Sequence, residues 1–600
     1  MSHGLSISPG SLFTARLLEL TRTRRKTLLV LICLVALVPM IRLSYLVRHY
    51  GVEVPTLDDW EMAPLIVQAH TGQLRWADIF AQQEEARTVL PKLIFVLSAA
   101  GGHWDVRDQM MLSVVCSWLT AAGIFFLLRR SQLNLAAFAL CFWLAVLTIS
   151  STAQFELWIF ASGFPSFLPG FFLVAALVTI ATNLSTLWKF VICAALATAS
   201  SFSLPHGLLA WGLTFPVLLI SRRVSRWPSW LTAWLVVSGI CVVAYFWGYQ
   251  KPAYLPAFAP AASLREYALF ILEFLGGGLA YSLKDQPAVS ATVFGALQLA
   301  LFSAALIYSA GRIRNRAFLA RVAPWFALGL QTIGSAMLAA LGRIGFGASY
   351  ALASRYVTFS LLLTIAVIAL VAIVAGELAR ADRSRWSRAC VLAICAILII
   401  GYLEPYKVAA ANTRFFLRSL SAKDRLAHGA VLFRVAIDTS EVIKKTAYPD
   451  DGRLVQYAEA LDRQKLLRPP LVRTNHLNPL PHEAADGKNA SGSCDTLAPV
   501  DAQLIRATGW AVLNRKGRPA DCVAVAYQLP AEPEWILFTI SESFEMRPPI
   551  VKRFRNMDQL WSGWTATFPK SAIPAGAKLS FWAVDADEPK LYRLEDKTSP

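Results

Sequence analysis

The sequence predicts a polytopic all-α membrane protein of about 11 spans, with 11–13 possible, carrying a C-terminal extracytoplasmic α/β region that ends in a small β-sandwich. Three observations carry that expectation. Hydrophobic residues make up 56% of the 600 and charged residues only 16%, where a soluble chain runs near about 25% charged. Apolar runs of membrane-spanning length recur from residue 27 to 404. Beyond 404 the runs stop, and short alternating segments separated by turns follow. This balance excludes a cytosolic enzyme, a disordered scaffold and a disulfide-stapled secreted module. In such a chain the formal charge of +18 reads as an inside-positive signal. With no zinc-like cysteine spacing and no RNA-binding motif, the expected partner is the lipid bilayer and not nucleic acid.

Residues 1–26 are basic (Arg16, Arg22, Arg24, Arg25, Lys26) and lead into an apolar stretch at 27–47 with no small-residue cleavage site. That stretch is expected to be a retained anchor, with the N-terminus cytoplasmic. Further runs fall near 108–128, 134–152, 165–183, 188–204, 205–221, 229–247, 289–310, 318–341, 357–376 and 388–404. The inner connections then hold Arg129, Arg130, Lys189, Arg222, Arg223 and Arg226. They continue with Arg312, Arg314, Arg316, Arg321, Arg380, Arg383, Arg385 and Arg388. Outer loops between the later spans hold fewer: Lys251, Arg265, Lys284, Arg343 and Arg355. Counting 88–101 and 266–283 as spans would put Arg129–Arg130 and Arg222–Arg226 on the wrong side, so both read as interfacial or partly inserted helices.

The tail divides into a helical connector, 405–490, and a strand-patterned segment, 491–600. Strand patterns begin at Cys522, Trp535 and Leu579, with turns at Lys516-Gly517 and Pro574-Ala575-Gly576. Its tryptophans (Trp510, Trp535, Trp561, Trp564, Trp582) read as buried aromatics ahead of carbohydrate binders. Cys494 and Cys522 are expected to pair as a disulfide if the tail is outside; the other seven cysteines lie in or beside apolar runs and behave as small hydrophobes.

The first outer loop, 49–107, is unlike the rest. It holds Glu53, Asp58, Asp59, Glu61, Asp78, Glu84, Glu85 and Asp105 against Arg75, Arg87, Lys92 and Arg107. At its centre stands Pro55-Thr56-Leu57-Asp58-Asp59-Trp60. Adjacent carboxylates repel, which raises the pKa of one and suits it to act as a general base or to hold a divalent metal. Trp60 suits stacking on a sugar face or anchoring at the interface. The bland account is an N-cap by Thr56 or Asp58 on an acidic first turn.

An anchor, a long outer loop with Asp58-Asp59-Trp60, about ten more spans and an outer tail together resemble the C-type superfamily (GT-C) of integral-membrane glycosyltransferases. The chain is similar to bacterial members in which Asp-Asp-Trp is followed by an Asn-Glu-His-Arg-like motif. Here that place holds Glu84-Glu85-Ala86-Arg87: Glu85 and Arg87 match, Glu84 and Ala86 depart. The likeness covers about 50–404 by layout. It implies a polyprenyl-phosphate-linked sugar donor, a glycan, lipid or protein acceptor, a plasma-membrane site in the bacterial envelope, and a catalytic aspartate in the first loop.

The residues accommodate that chemistry. A glycosyl phosphate leaves as an anion, so inverting displacement needs one base and cations over the phosphate. Asp58 is expected as base, with Asp59 orienting it or the acceptor, or binding a metal such as Mg or Mn. Candidate substrate contacts are Trp60, Glu85 and Arg87 in the loop, and Arg343, Arg355 and Tyr356 near Gly342, Gly345 and Gly347. Glu156 and His206, on later outer loops, complete the set; Glu273 marks a bend near Gly276–Gly278. Snorkelling accounts equally for the arginines. The chief rivals are a transporter or flippase, which would place ionisable groups in mid-span, a polysaccharide polymerase or ligase, and a non-enzymatic assembly protein.

Overall fold

The computed structural model describes residues 9–221, 227–253, 263–282, 286–381, 385–484, 486–530 and 532–596. The arginines at 222, 223, 226 and 383 and Lys284 lie outside them, as do the side chains of Arg16 to Lys26 and of Arg385 and Arg388.

The protein is a multi-pass helical bundle followed by a strand-rich tail. Among the described residues, eight helices are long and apolar enough to cross a membrane: Val30–Tyr50, Val106–Arg130, Leu135–Trp158, Ala161–Ala181, Trp227–Phe246, Pro287–Ala310, Arg316–Phe346 and Ser354–Arg380. The other three of the eleven expected runs take different forms. The runs near 188–204 and 205–221 form the shorter apolar helices Thr186–Ser201 and Pro205–Ser221. A tight turn joins them, closed by Gly207 N–H on the Leu204 carbonyl at 2.8 Å. A Cβ on Gly207 would collide with the Ser200 carbonyl, so glycine is what lets the chain reverse there. The run at 388–404 belongs to one 49-residue helix, Arg385–Phe433. At 1.5 Å per residue that helix is about 74 Å long, far beyond the roughly 30 Å of a hydrocarbon core.

Helix starts follow the sequence. Asp105 Oδ1 accepts from Arg107 N–H at 2.9 Å and Asn134 Oδ1 from Ala137 N–H at 2.8 Å. The two ambiguous segments become Val89–Ala99 and Leu264–Gly276, of 11 and 13 residues, each short of a span. The second crosses Pro287–Ala310 at close range. A Cβ on Gly276 would run into the Ala291 carbonyl, and one on Gly295 into the Leu272 carbonyl.

The tail's strands build two sheets. One runs His482–Ala484, Lys590–Arg593, Lys578–Asp585, Cys522–Gln528 and Trp535–Ile540 in spatial order. The other runs Glu595–Asp596, Ser491–Pro499, Leu504–Leu513, Gly563–Pro569 and Ser543–Glu545, with Arg518–Pro519 paired to Leu504–Leu513. Facing side chains share a core of Ala507, Ala511, Val523, Val525, Phe568, Phe581 and Ala583. Trp510, Trp564 and Trp582 are buried.

The alternation of Cys522–Gln528 overturns the expected disulfide. Val523 and Val525 point into the inter-sheet core, so Cys522, Ala524 and Ala526 face the opposite way, toward the long helix. The Cys522 thiol lies against Gly429 and is free. Cys494 sits in the inter-sheet core, its thiol on the Thr496 carbonyl at 3.5 Å. A strand stands between the two sulfurs.

Candidate functional site

Residues 58–95, 157–166, 204–206 and 343–359 converge on one cavity of about 500 Å³. Its wall carries Asp58, Glu84, Glu85, His206, Arg343, Arg355 and Tyr356. Most of the side chains singled out from sequence therefore meet in one place, although they come from four separate connections.

The first loop presents its two aspartates differently. Residues 57–62 make a short 3-10 helix, and its first residue, Leu57, takes the left-handed conformation, φ 47°. That backbone is held by its own N–H on the Ala447 carbonyl at 2.6 Å. Asp59 points inward and is fully buried. Its Oδ1 accepts from Ser162 N–H at 2.7 Å and Ser162 Oγ–H at 2.6 Å, and its Oδ2 from Thr56 N–H at 3.1 Å. Burial pushes its pKa up to about 7 against those three bonds. Asp59 is a bracket between two loops. Asp58 points the other way, water-accessible on the cavity wall. Surrounding protein raises its pKa, Glu61 adds to the rise, and Arg355 opposes it.

The turn at 83–86 brings in two more carboxylates. Gln83 and Ala86 exchange both backbone hydrogen bonds, at 2.8 and 2.9 Å, and Glu84 between them adopts φ 49°. Glu85 pairs with Arg343 across the cavity. Glu84 forms no ion pair among the described residues, and burial, then Asp58, raise its pKa to about 7. Arg355 donates to the Tyr350 hydroxyl and lies 5.0 Å from the Tyr350 ring centre and 5.8 Å from that of Tyr356. His206 packs on Phe359, ring centres 4.5 Å apart, and its buried Nδ1 finds no hydrogen-bond partner among the described residues.

Three expected contacts do not reach the cavity. Trp60 is fully buried in the core between the first loop and the long helix, so it stacks on no sugar. Arg87 donates to the carbonyls of Tyr245, Phe80 and Trp247 at 2.8, 2.6 and 2.5 Å, which staples the 83–86 turn to the end of Trp227–Phe246. Glu156 stands off the wall, its N–H near Ser354 Oγ at 3.4 Å. Nor do Asp58 and Asp59 form a metal pair, because both Asp59 oxygens are engaged. Among the described residues, ligand atoms converge to metal spacing at Glu53, His103 and Asp105, and at His428, Asp521 and Asp587. Arginines already pair with acids in both sets.

Sequence reasoning missed Ser162 and Tyr350, and took Lys92 and Glu84 as loop charges without a role, Glu84 also as a departure from a motif. Lys92 lines the cavity with its ammonium on the Ala81 carbonyl at 2.7 Å. No signal marks Ser162, a small polar residue between apolar runs. Tyr350, between the two arginines of one loop, was visible as an aromatic beside cations.

These features define a multi-pass membrane protein with a charged cavity built from its interhelical connections. Compared with known protein families, with curated sequences and with solved structures, the chain matches none.

Proposed function

We propose that the protein is a membrane glycosyltransferase, moving a sugar from a polyprenyl-phosphate donor to a cell-surface glycan, lipid or protein. The observation that carries this reading is the meeting of Asp58 with Arg355 in a single cavity, one group suited to take a proton and the other to hold a phosphate. Asp58 removes the proton of the acceptor hydroxyl as that oxygen attacks the anomeric carbon from the face opposite the phosphate. Arg355, steadied by Tyr350, compensates the charge growing on the leaving phosphate. Arg343 is bound to Glu85 and fixes the wall between them. Asp59, through Ser162, keeps Asp58 aimed outward.

The finer topology belongs to the same proposal. The four connections lining the cavity are all outer loops in the eleven-crossing scheme, which makes the two short helices an up-down pair. That scheme keeps the N-terminus cytoplasmic and places the tail, read as a β-sandwich on a helical connector, outside the plasma membrane. The test compares lipid-linked and surface glycans by mass spectrometry in cells with wild type, Asp58→Asn or no copy, at matched protein levels. Loss of one sugar unit in the null strain, unrestored by Asp58→Asn, is the expected result. Full restoration by Asp58→Asn refutes the assigned base. Accumulation of complete lipid-linked glycan in the null strain points instead to transport or polymerisation.

A further inference from the structure

The cavity holds one more carboxyl than a simple displacement uses. Asp58 is opposed by Arg355, and Glu85 is paired with Arg343. Lys92 is turned to the Ala81 carbonyl, and Arg87 is spent on three carbonyls. Glu84 is left on the same wall with no cation of its own. The charged groups that act on it are Asp58 and Glu61 from the first 3-10 turn, Glu85 beside it, and Arg343 from the Arg316–Arg343 helix. His206, Tyr350, Arg355 and Tyr356 complete the titratable and charged lining.

The turn shows that Glu84 is placed there. Its backbone is in the left-handed region, which a glutamate adopts at a cost. That conformation is fixed by the paired Gln83 and Ala86, by Gln82 on the Glu84 and Gln250 carbonyls, and by Arg87.

Charge then decides what Glu84 does. With the carboxyls, the lysine and the arginines ionised and His206 and the tyrosines neutral, Asp58, Glu84 and Glu85 balance Lys92, Arg343 and Arg355. A phosphodiester donor adds a negative charge to this balanced set. Proton uptake by one carboxyl restores it, and the carboxyl without a cation takes the proton most readily. Asp58, opposed by Arg355, stays ionised.

We propose that Glu84 is the second carboxyl of the reaction, holding a proton beside the ionised Asp58 and giving it to the phosphate as that group leaves. This rests on the glycosyl-transfer reading above. In the step, the acceptor O–H bond breaks and its proton goes to Asp58, while the acceptor oxygen bonds to the anomeric carbon. The bond from that carbon to the phosphate oxygen breaks, its electron pair staying on oxygen. Glu84 protonates the phosphate, which departs as a monoanion. The proton on Asp58 passes to Glu84 and resets the pair, so no co-reactant is required.

The test counts protons. Farnesyl methyl phosphate, a diester whose own charge is constant near neutrality, is titrated calorimetrically into the detergent-purified full chain in buffers of different ionisation enthalpy. Farnesol is the control. Wild type is expected to take up a large fraction of a proton at about pH 7, and Glu84→Asp to retain the uptake. Glu84→Gln, which mimics the protonated form, is expected to bind within a few-fold of wild type but without uptake. Uptake unchanged in Glu84→Gln overturns the assignment, and its loss in His206→Gln instead would name a different proton holder. Wild type that binds the diester no better than farnesol sinks the glycosyl-transfer reading itself, and this inference with it.

Discussion

Asp59→Ala tests whether the buried aspartate is a bracket. It strands three donors: Ser162 N–H and Oγ–H on Oδ1, and Thr56 N–H on Oδ2. A buried donor left without a partner costs about 1–3 kcal/mol, so the total lies between roughly 3 and 9 kcal/mol. The Ser162 hydroxyl can rotate to another acceptor, which favours the lower half of that range. Ser162→Ala alone removes one donor and is expected to cost about 1 kcal/mol. In the Asp59→Ala background the same change should cost nothing, because the acceptor is already gone. The assay is protease cleavage within 49–107 in nanodiscs, which tracks the open population when reclosing is fast. A loss of about 4 kcal/mol multiplies the cleavage rate by roughly a thousand. Acidity supplies a second axis. The folded pKa of about 7 lies above the ordinary carboxyl value, so the stability from this group is full below about pH 4 and fades as pH rises through 7. Wild-type cleavage should therefore quicken over that range, and the Asp59→Ala rate should be flatter. Cleavage of Asp59→Ala no faster than wild type, or a Ser162→Ala cost equal in both backgrounds, refutes the bracket.

Two further outcomes follow from packing. Gly276→Ala drives a methyl into the Ala291 carbonyl, which must push Leu264–Gly276 off Pro287–Ala310; we expect a loss of about 1–3 kcal/mol, read as a fall in the thermal midpoint in detergent, whereas Gly212→Ala, with open space around it, should leave the midpoint unmoved. Cys494 and Cys522 should both react with a maleimide after denaturation without reductant, each adding one label by mass spectrometry, and their failure to label would restore the disulfide.

The sequence was most informative where one physical signal dominated. Hydropathy located each of the eight long apolar helices, since a bilayer permits only internally bonded helices. The break between the runs at 188–204 and 205–221 was legible as well, and the chain turns there at Gly207; what hydropathy did not give is that both helices fall short of full spanning length. At the site, the first-loop acids were visible as charge in an apolar chain, but their directions were not. Asp58 and Asp59 are adjacent letters, yet one turn of 3-10 backbone sends one to the cavity and the other to Ser162, more than a hundred residues away. Trp60 was misread for the same reason: an aromatic beside acids looks like a sugar platform until its burial partners, which lie beyond residue 400, are known. Arg87 matched a motif position while serving the backbone, since a guanidinium that binds phosphates also binds carbonyls.

Those distant partners explain why the tail is not an appendage. The first loop is tied to it at several heights. Leu57 N–H reaches the Ala447 carbonyl, Trp104 N–H the Leu466 carbonyl at 2.9 Å, and Glu61 takes the Tyr448 hydroxyl. At the C-terminal end of the first span, Asp558 accepts from Tyr50 at 2.7 Å and Arg418 at 2.7 Å, with His49 at 3.1 Å. Arg425 from the long helix meets the buried Asp521 of the sheets at 3.3 Å. A loop of alternating acids and apolar residues has no core of its own, and its left-handed Leu57 is a conformation the chain would abandon if left alone. The tail supplies the missing wall, and the long helix transmits that support from the membrane to the sheets. The orientation of Asp58 is thus set by residues nearly four hundred positions further along the chain.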